Sequence, residues 1–170
     1  MTLPGARALL AGIAGVSLLA VAAALYTQHI GGMLPCAWCV LQRLIFVLMA
    51  AAALLGLALP GLGLPVAIGR RIGAGLALLL AGLGLAAALW QHVVANASVS
   101  CNMTLADKLM GATGLDSRFP EVFAAYASCA DAKVNLAGLP YEAWSGALFL
   151  ALSLAALRVL VRPQRNEALS

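Results

Sequence analysis

A chain of 170 residues suffices for one domain of ordinary size. Hydrophobic residues make up 64% of it and charged residues only 9%, against roughly 25% charged in soluble chains. It cannot cover its surface with polar groups, so lipid is part of its solvent. Its net charge of +4 is no nucleic-acid signal, because the basic residues form no stripe beside aromatics.

The first apolar run, Ala8 to Tyr26, carries no charge. Arg7 precedes it, as in a signal peptide, but the run exceeds a typical signal core and no small-x-small cleavage site leads into a soluble domain. It reads as an uncleaved helix. The second run begins near Cys39, passes Arg43 and is broken at Pro60-Gly61. The third spans Ile72 to Trp90, and the fourth Ala143 to about Val161 with Arg158 near its end. Each is close to the ~20 residues that cross a bilayer, and hydrocarbon forces each to satisfy its own backbone as a helix. Runs such as "AGLGLAAAL" suit close helix packing. The expected fold is an all-α membrane protein, a bundle of four transmembrane helices with a short helix lying on the membrane surface in the second outer loop, one domain over 1–170. Its helices lie at about 8–28, 39–59, 71–91 and 142–161, and its outer loops at about 29–38 and 92–141.

Orientation follows from Lys and Arg. Arg7, Arg70, Arg71, Arg158, Arg162 and Arg165 gather on one side, read as cytoplasmic with both termini. Lys108, Arg118 and Lys133 lie opposite, with Arg43 near that interface. All four cysteines then fall on the outer side, Cys36 and Cys39 in the short loop and Cys101 and Cys129 in the long one. Disulfides persist on that side. Cysteines serving as small core hydrophobes would scatter through the apolar runs, so the pattern reads as thiol–disulfide chemistry.

In the long loop, Thr104 and Asp107 are spaced as a capping box. They open a short helix over Leu105, Leu109 and Met110, stopped by Gly111. Phe119, Val122, Phe123 and Tyr126 follow i, i+3, i+4, i+7 spacing and form the apolar face of a second short helix. That face either lies on the membrane surface or packs on the tops of the spanning helices. The loop is tied down near Cys129, while Cys101 sits in the polar stretch "NASVSCNMT". Asn96 and Asn102 each open an N-glycosylation pattern, which would carry no meaning were the chain bacterial.

Cys39 lies near the N-terminus of the second helix, where the dipole favours a thiolate. Arg43 is one turn deeper on the same face. An arginine within an apolar helix is costly and usually functional, although near a helix end it can also snorkel to the interface. Haem attachment would need His where Val40 stands. Zinc would need the four cysteines as ligands, but Cys101 and Cys129 form no C-x-x-C. A thioredoxin fold needs a strand before the motif, and none is available. A membrane thiol relay must pass its electrons on, and a quinone can reach the head of this helix from the bilayer. His92, at the outer end of the third helix, is a candidate second contact.

"YTQHIGGMLPCAWCVLQR", "LWQHV" and "GLPYEAW" together resemble the DsbB family of bacterial disulfide bond formation proteins over nearly the whole chain. The resemblance implies a relay in the bacterial inner membrane with periplasmic cysteines. On that resemblance Cys101 and Cys129 would form the loop disulfide, and Cys101 the mixed disulfide with DsbA, a soluble periplasmic thiol oxidase. Cys129 would then exchange with Cys36, and Cys39 would pass electrons to ubiquinone, or to menaquinone without oxygen. Arg43 and His92 would stand at the quinone; no metal is implied. Vitamin K epoxide reductase is the nearest competitor, but its C-x-x-C follows the loop cysteines, whereas here it precedes them. A paralogue with a dedicated partner and a structural protein with inert disulfides also remain open. A small transporter would show polar residues near the midplane, and these helices show almost none.

Overall fold

The computed structural model describes residues 5–95, 104–132 and 134–162. Helix α1 (Ala6–His29) runs uncharged from Ala8 onward, as its composition demands, and ends where Gly32 takes φ +64°, a conformation only glycine adopts freely. An extended segment then leads to Cys36, the N-cap of α2 (Ala37–Ala58). A 3₁₀ turn over Leu59–Leu62 and Gly63 at φ +93° reverses the chain into α3 (Val66–Val93). The outer loop carries α4 (Leu105–Thr113), α5 (Leu115–Arg118) and α6 (Pro120–Phe123). A two-stranded hairpin, β1 (Asn135–Leu136) and β2 (Leu139–Pro140), feeds α7 (Tyr141–Val161). Four helices, α1, α2, α3 and α7, are long and apolar enough to cross a membrane. The chain is thus a multi-pass, all-α membrane protein.

Three local expectations are corrected. The third spanning helix starts at Val66, not near residue 71, so Arg70 and Arg71 lie inside its first turns. Hydropathy marks where charge ends, but a helix continues through the interface until Pro65 stops it. Helix α4 runs through Gly111 and stops at Gly114, whose φ of +64° makes the left-handed cap. The Phe119–Tyr126 stretch is no single helix. Pro120 disfavours helical backbone at Phe119, which sits at φ −134°, ψ +63° and separates α5 from α6. Val122 and Phe123 pack with Val40 and Met110 on top of α2, whereas Phe119 and Tyr126 stay exposed. The loop therefore packs on the bundle and also leaves an apolar outer face open.

Helices α2 and α3 meet through glycine. A Cβ on Gly73 would lie 2.6 Å from the Gly56 Cα, so the backbones touch only because both lack one. Deeper contact uses Phe46 of α2 stacked on Phe149 of α7, with centroids 4.1 Å apart. Gly84 of α3 admits the Phe149 ring, which a Cβ there would meet at 2.3 Å. Gly84→Ala is expected to push Phe149 off its stack and to destabilise the bundle by about 1–3 kcal/mol. Thermal unfolding in detergent measures it, and an unshifted midpoint counts against this packing.

Candidate thiol relay and cavity

The outer end of the bundle brings the two loops together through backbone. The N–H groups of Tyr126 and Ala127 both donate to the Pro35 carbonyl, at 2.9 and 3.3 Å. This ties the approach to Cys129 beside the residue preceding Cys36. Ser128 and Asp131 close a tight turn around Cys129, with Ser128 Oγ donating to Asp131 Oδ2 at 2.6 Å. Cys36, Ala37, Trp38, Ala87, Ala106 and Cys129 form one buried cluster.

Within it three sulfurs stand in series. Cys36 Sγ lies 3.0 Å from Cys39 Sγ, without a bond between them, and it is also hydrogen-bonded to Cys129. Cys36 is fully buried. The hydrogen bond to Cys129, the one to Cys39 and burial all push its thiol far up. Cys129 moves the other way: the Cys36 hydrogen bond lowers it most, the Trp38 backbone N–H adds to that, and burial opposes both. The shared hydrogen bond thus favours the proton on Cys36 over Cys129. Cys101 lies outside the described residues.

A lowered Cys129 keeps its thiolate, the reactive form, as pH falls below the ordinary thiol range. In the reduced protein its alkylation should therefore persist to lower pH than that of a free thiol. Cys36→Ala removes the main cause and should move the profile back up, read by mass mapping of the Cys129 peptide. Identical profiles in both proteins would contradict this polarity.

Cys39, in the first turn of α2, faces a cavity of about 230 Å³ between α1, α2 and α7, roofed by the hairpin segment. Its walls are apolar, including Ala20, Val21, Phe46 and Leu148, and its polar groups gather at the Cys39 end. Arg43 lines it and is 5% exposed. Its Nη1 donates to Gln28 Oε1 at 2.9 Å and to the Val122 carbonyl, while Gln28 Nε2 donates to the Glu121 carbonyl at 3.1 Å. Arg43 is therefore no snorkelling residue: it is buried and clamps α6 onto the bundle. Among the described residues its Nε has no hydrogen-bond partner.

The geometry unites Cys36, Cys39, Cys129 and Arg43, but not His92. That side chain is 57% exposed, pairs through Nδ1 with Glu142 Oε1 at 2.9 Å, and does not line the cavity. One residue is about 100° of helix, so with Gln91 turned inward His92 turns out. Gln91 donates through Nε2 to Cys39 Sγ at 3.3 Å, Gln42 and Ser145 continue that line, and separately Gln28 bonds Arg43 and the Tyr141 hydroxyl meets Thr27 Oγ1. Sequence reasoning passed over these. The available signal was Gln42 and Gln91 themselves, uncharged polar residues at the outer ends of apolar helices. Among the described residues no cluster of His, Cys, Asp and Glu has the geometry to hold a metal ion.

A family model described as "Disulfide bond formation protein DsbB" matches residues 6–159. Proteins named Disulfide bond formation protein B are similar to this chain. That of Nitrosospira multiformis is 32% identical over 147 residues, 85% of each chain. That of Herminiimonas arsenicoxydans is 31% identical over 157 residues, 92% of this chain and 96% of the relative.

Proposed function

This chain belongs to the DsbB family of membrane disulfide bond formation proteins, and from that premise we propose that it reoxidises a DsbA-type periplasmic thiol oxidase and delivers the electrons to a membrane quinone. The observation that carries the reading is the series Cys129, Cys36, Cys39, whose last member opens onto an apolar cavity beside a buried arginine.

The partner's thiolate attacks Cys101 of a Cys101–Cys129 disulfide and releases Cys129 as thiolate. Cys129, favoured as an anion where it stands, attacks Cys36 of a Cys36–Cys39 disulfide. The Cys129–Cys36 bond forms, the Cys36–Cys39 bond breaks, and the electron pair leaves on Cys39 Sγ. A second partner thiolate resolves the mixed disulfide, so the partner departs oxidised and Cys101 is freed as thiolate. Cys101 then attacks Cys129, which re-forms the Cys101–Cys129 bond, breaks the Cys129–Cys36 bond and leaves Cys36 and Cys39 as the reduced pair. Arg43 offsets the negative charge that collects at the Cys39 end.

The cavity fits a quinone ring. Benzene enters an engineered cavity of about 150 Å³, and this one is larger, with apolar walls and an unpartnered Arg43 Nε. Arg43, Gln91 and Tyr141 would hold the ring. A quinone bound there supplies a two-electron, two-proton acceptor that dissolves in the bilayer. The membrane is the bacterial inner membrane, with both termini cytoplasmic and the cysteines periplasmic. The Lys and Arg distribution supports this topology.

The test is purified protein with ubiquinone and a reduced DsbA-type partner, followed by loss of quinone absorbance. Stoichiometric quinone reduction and partner oxidation support the reading. Silence with ubiquinone, menaquinone and several such partners overturns it and leaves an inert disulfide protein as the better account.

A further inference from the structure

Two buried glutamines and a serine form a hydrogen-bonded line that ends on Cys39. Gln42 and Gln91 are each 4% exposed. A primary amide hidden from water is costly unless its donors and acceptor are used, and here the use has a direction. Ser145 Oγ donates to Gln42 Oε1 at 2.5 Å, Gln42 Nε2 to Gln91 Oε1 at 2.7 Å, and Gln91 Nε2 to Cys39 Sγ at 3.3 Å. The three elements concerned are the two helices that pack through glycine, α2 and α3, and the start of α7.

Because every bond runs the same way, the dipoles add and the positive end meets the sulfur. Turning both amides over would reverse each bond and present Gln91 Oε1 to the sulfur, the arrangement suited to a thiol. Ser145 can serve that state too, since its hydroxyl also reaches the Glu142 carbonyl at 2.9 Å and could accept from Gln42 while donating there. The line matches either protonation state of Cys39 without moving backbone.

We propose that Gln91 is a further catalytic residue, whose amide N–H bears on Cys39 Sγ as that sulfur takes up the electron pair, and that Gln42 is the positioning residue that aims it. The role rests on the relay proposed above, in which Cys39 is the leaving sulfur. Arg43 supplies charge near the same end, but its Nη1 is occupied by Gln28 and the Val122 carbonyl. Among the described residues, the other ionisable groups around this end are Cys36 and Cys129 from the loops, Tyr141 and Glu142 from α7, and His92 of α3, paired with Glu142. A neutral donor stabilises the anion without adding a charge that a departing reduced product would have to leave behind.

The test uses the full chain with Cys36, Cys101 and Cys129 changed to alanine, so that Cys39 is the sole thiol. Its rate of alkylation by N-ethylmaleimide is followed against pH in detergent, needing neither quinone nor partner. Gln91→Met, of similar length and without the donor, is expected to displace the profile upward by about one pH unit, roughly tenfold in rate at fixed pH. Gln91→Glu keeps the shape and substitutes an acceptor, and should displace it further. Gln42→Met should move it the same way by less, since Gln91 stays but loses its aim. A purely structural role would lower the melting temperature and leave the profile in place. Unmoved profiles in folded Gln91→Met and Gln91→Glu overturn the proposal, and with quinone turnover intact in the parent they leave the relay standing. A displaced profile beside absent turnover in the parent would keep the donor but overturn the catalytic role.

Discussion

Cys39→Ser is expected to abolish quinone reduction, by at least about a thousandfold, as removal of a reacting nucleophile does elsewhere. The relay reading makes a further demand on this variant. Cys36 then has no disulfide of its own but still neighbours Cys129, so its thiolate should attack Cys129 of the Cys101–Cys129 disulfide: the Cys36–Cys129 bond forms, Cys101 leaves as thiolate, and this interloop disulfide should accumulate. Peptide mapping under non-reducing conditions reads it directly. Turnover retained in Cys39→Ser would remove Cys39 from the path. Loss of turnover with no Cys36–Cys129 bond would break the series at the loop.

Arg43→Met should raise the KM for quinone roughly ten- to a hundredfold, because hydrogen bonds to a charged group contribute about 1.5–3 kcal/mol and each tenfold is about 1.4. The same change strips the Gln28 Oε1 and Val122 carbonyl of their donor. The segment around α6 should then loosen from the bundle, and limited proteolysis near Phe119 to Tyr126 should quicken. Arg43→Lys keeps the charge but not the planar set of donors, so it should recover part of the KM and little of the protection. If KM rises while proteolysis stays unchanged, Arg43 serves the cavity alone. If KM does not change, the cavity is not where the quinone binds.

The coupling of these two effects has a structural cause. One guanidinium reaches from the cavity to the loop that carries Cys129, so the cavity and that loop share a side chain. Chain order alone does not reveal this, since Val122 lies 79 residues after Arg43.

Much was legible without coordinates. Sixty-four per cent hydrophobic residues and four long apolar runs require spanning helices, because hydrocarbon offers the backbone no other partners. The capping box at Thr104 and Asp107 is local chemistry, and it forms as read, with the Asp107 N–H donating to Thr104 Oγ1 at 3.3 Å and Asp107 Oδ2 accepting from the Thr104 N–H at 2.7 Å. The C-x-x-C and its arginine are also local, set by helical spacing from one N-cap.

What chain order could not determine was which outer-end polar groups turn inward. Gln91 and His92 are adjacent and both polar, and only the packing of α3 against α2 and α7 decides that Gln91 faces Cys39 while His92 turns outward to Glu142. The Pro35 carbonyl that fastens Tyr126 and Ala127, and so brings Cys129 to Cys36, is likewise a contact across some ninety residues. Hydropathy and local spacing were enough for a membrane bundle with the C-x-x-C at the head of its second helix, because both act over a few turns. Tertiary structure alone decided the series of sulfurs and the donor on the last of them, because rotation about each helix axis is set by glycine contacts and aromatic stacking between helices distant in the chain.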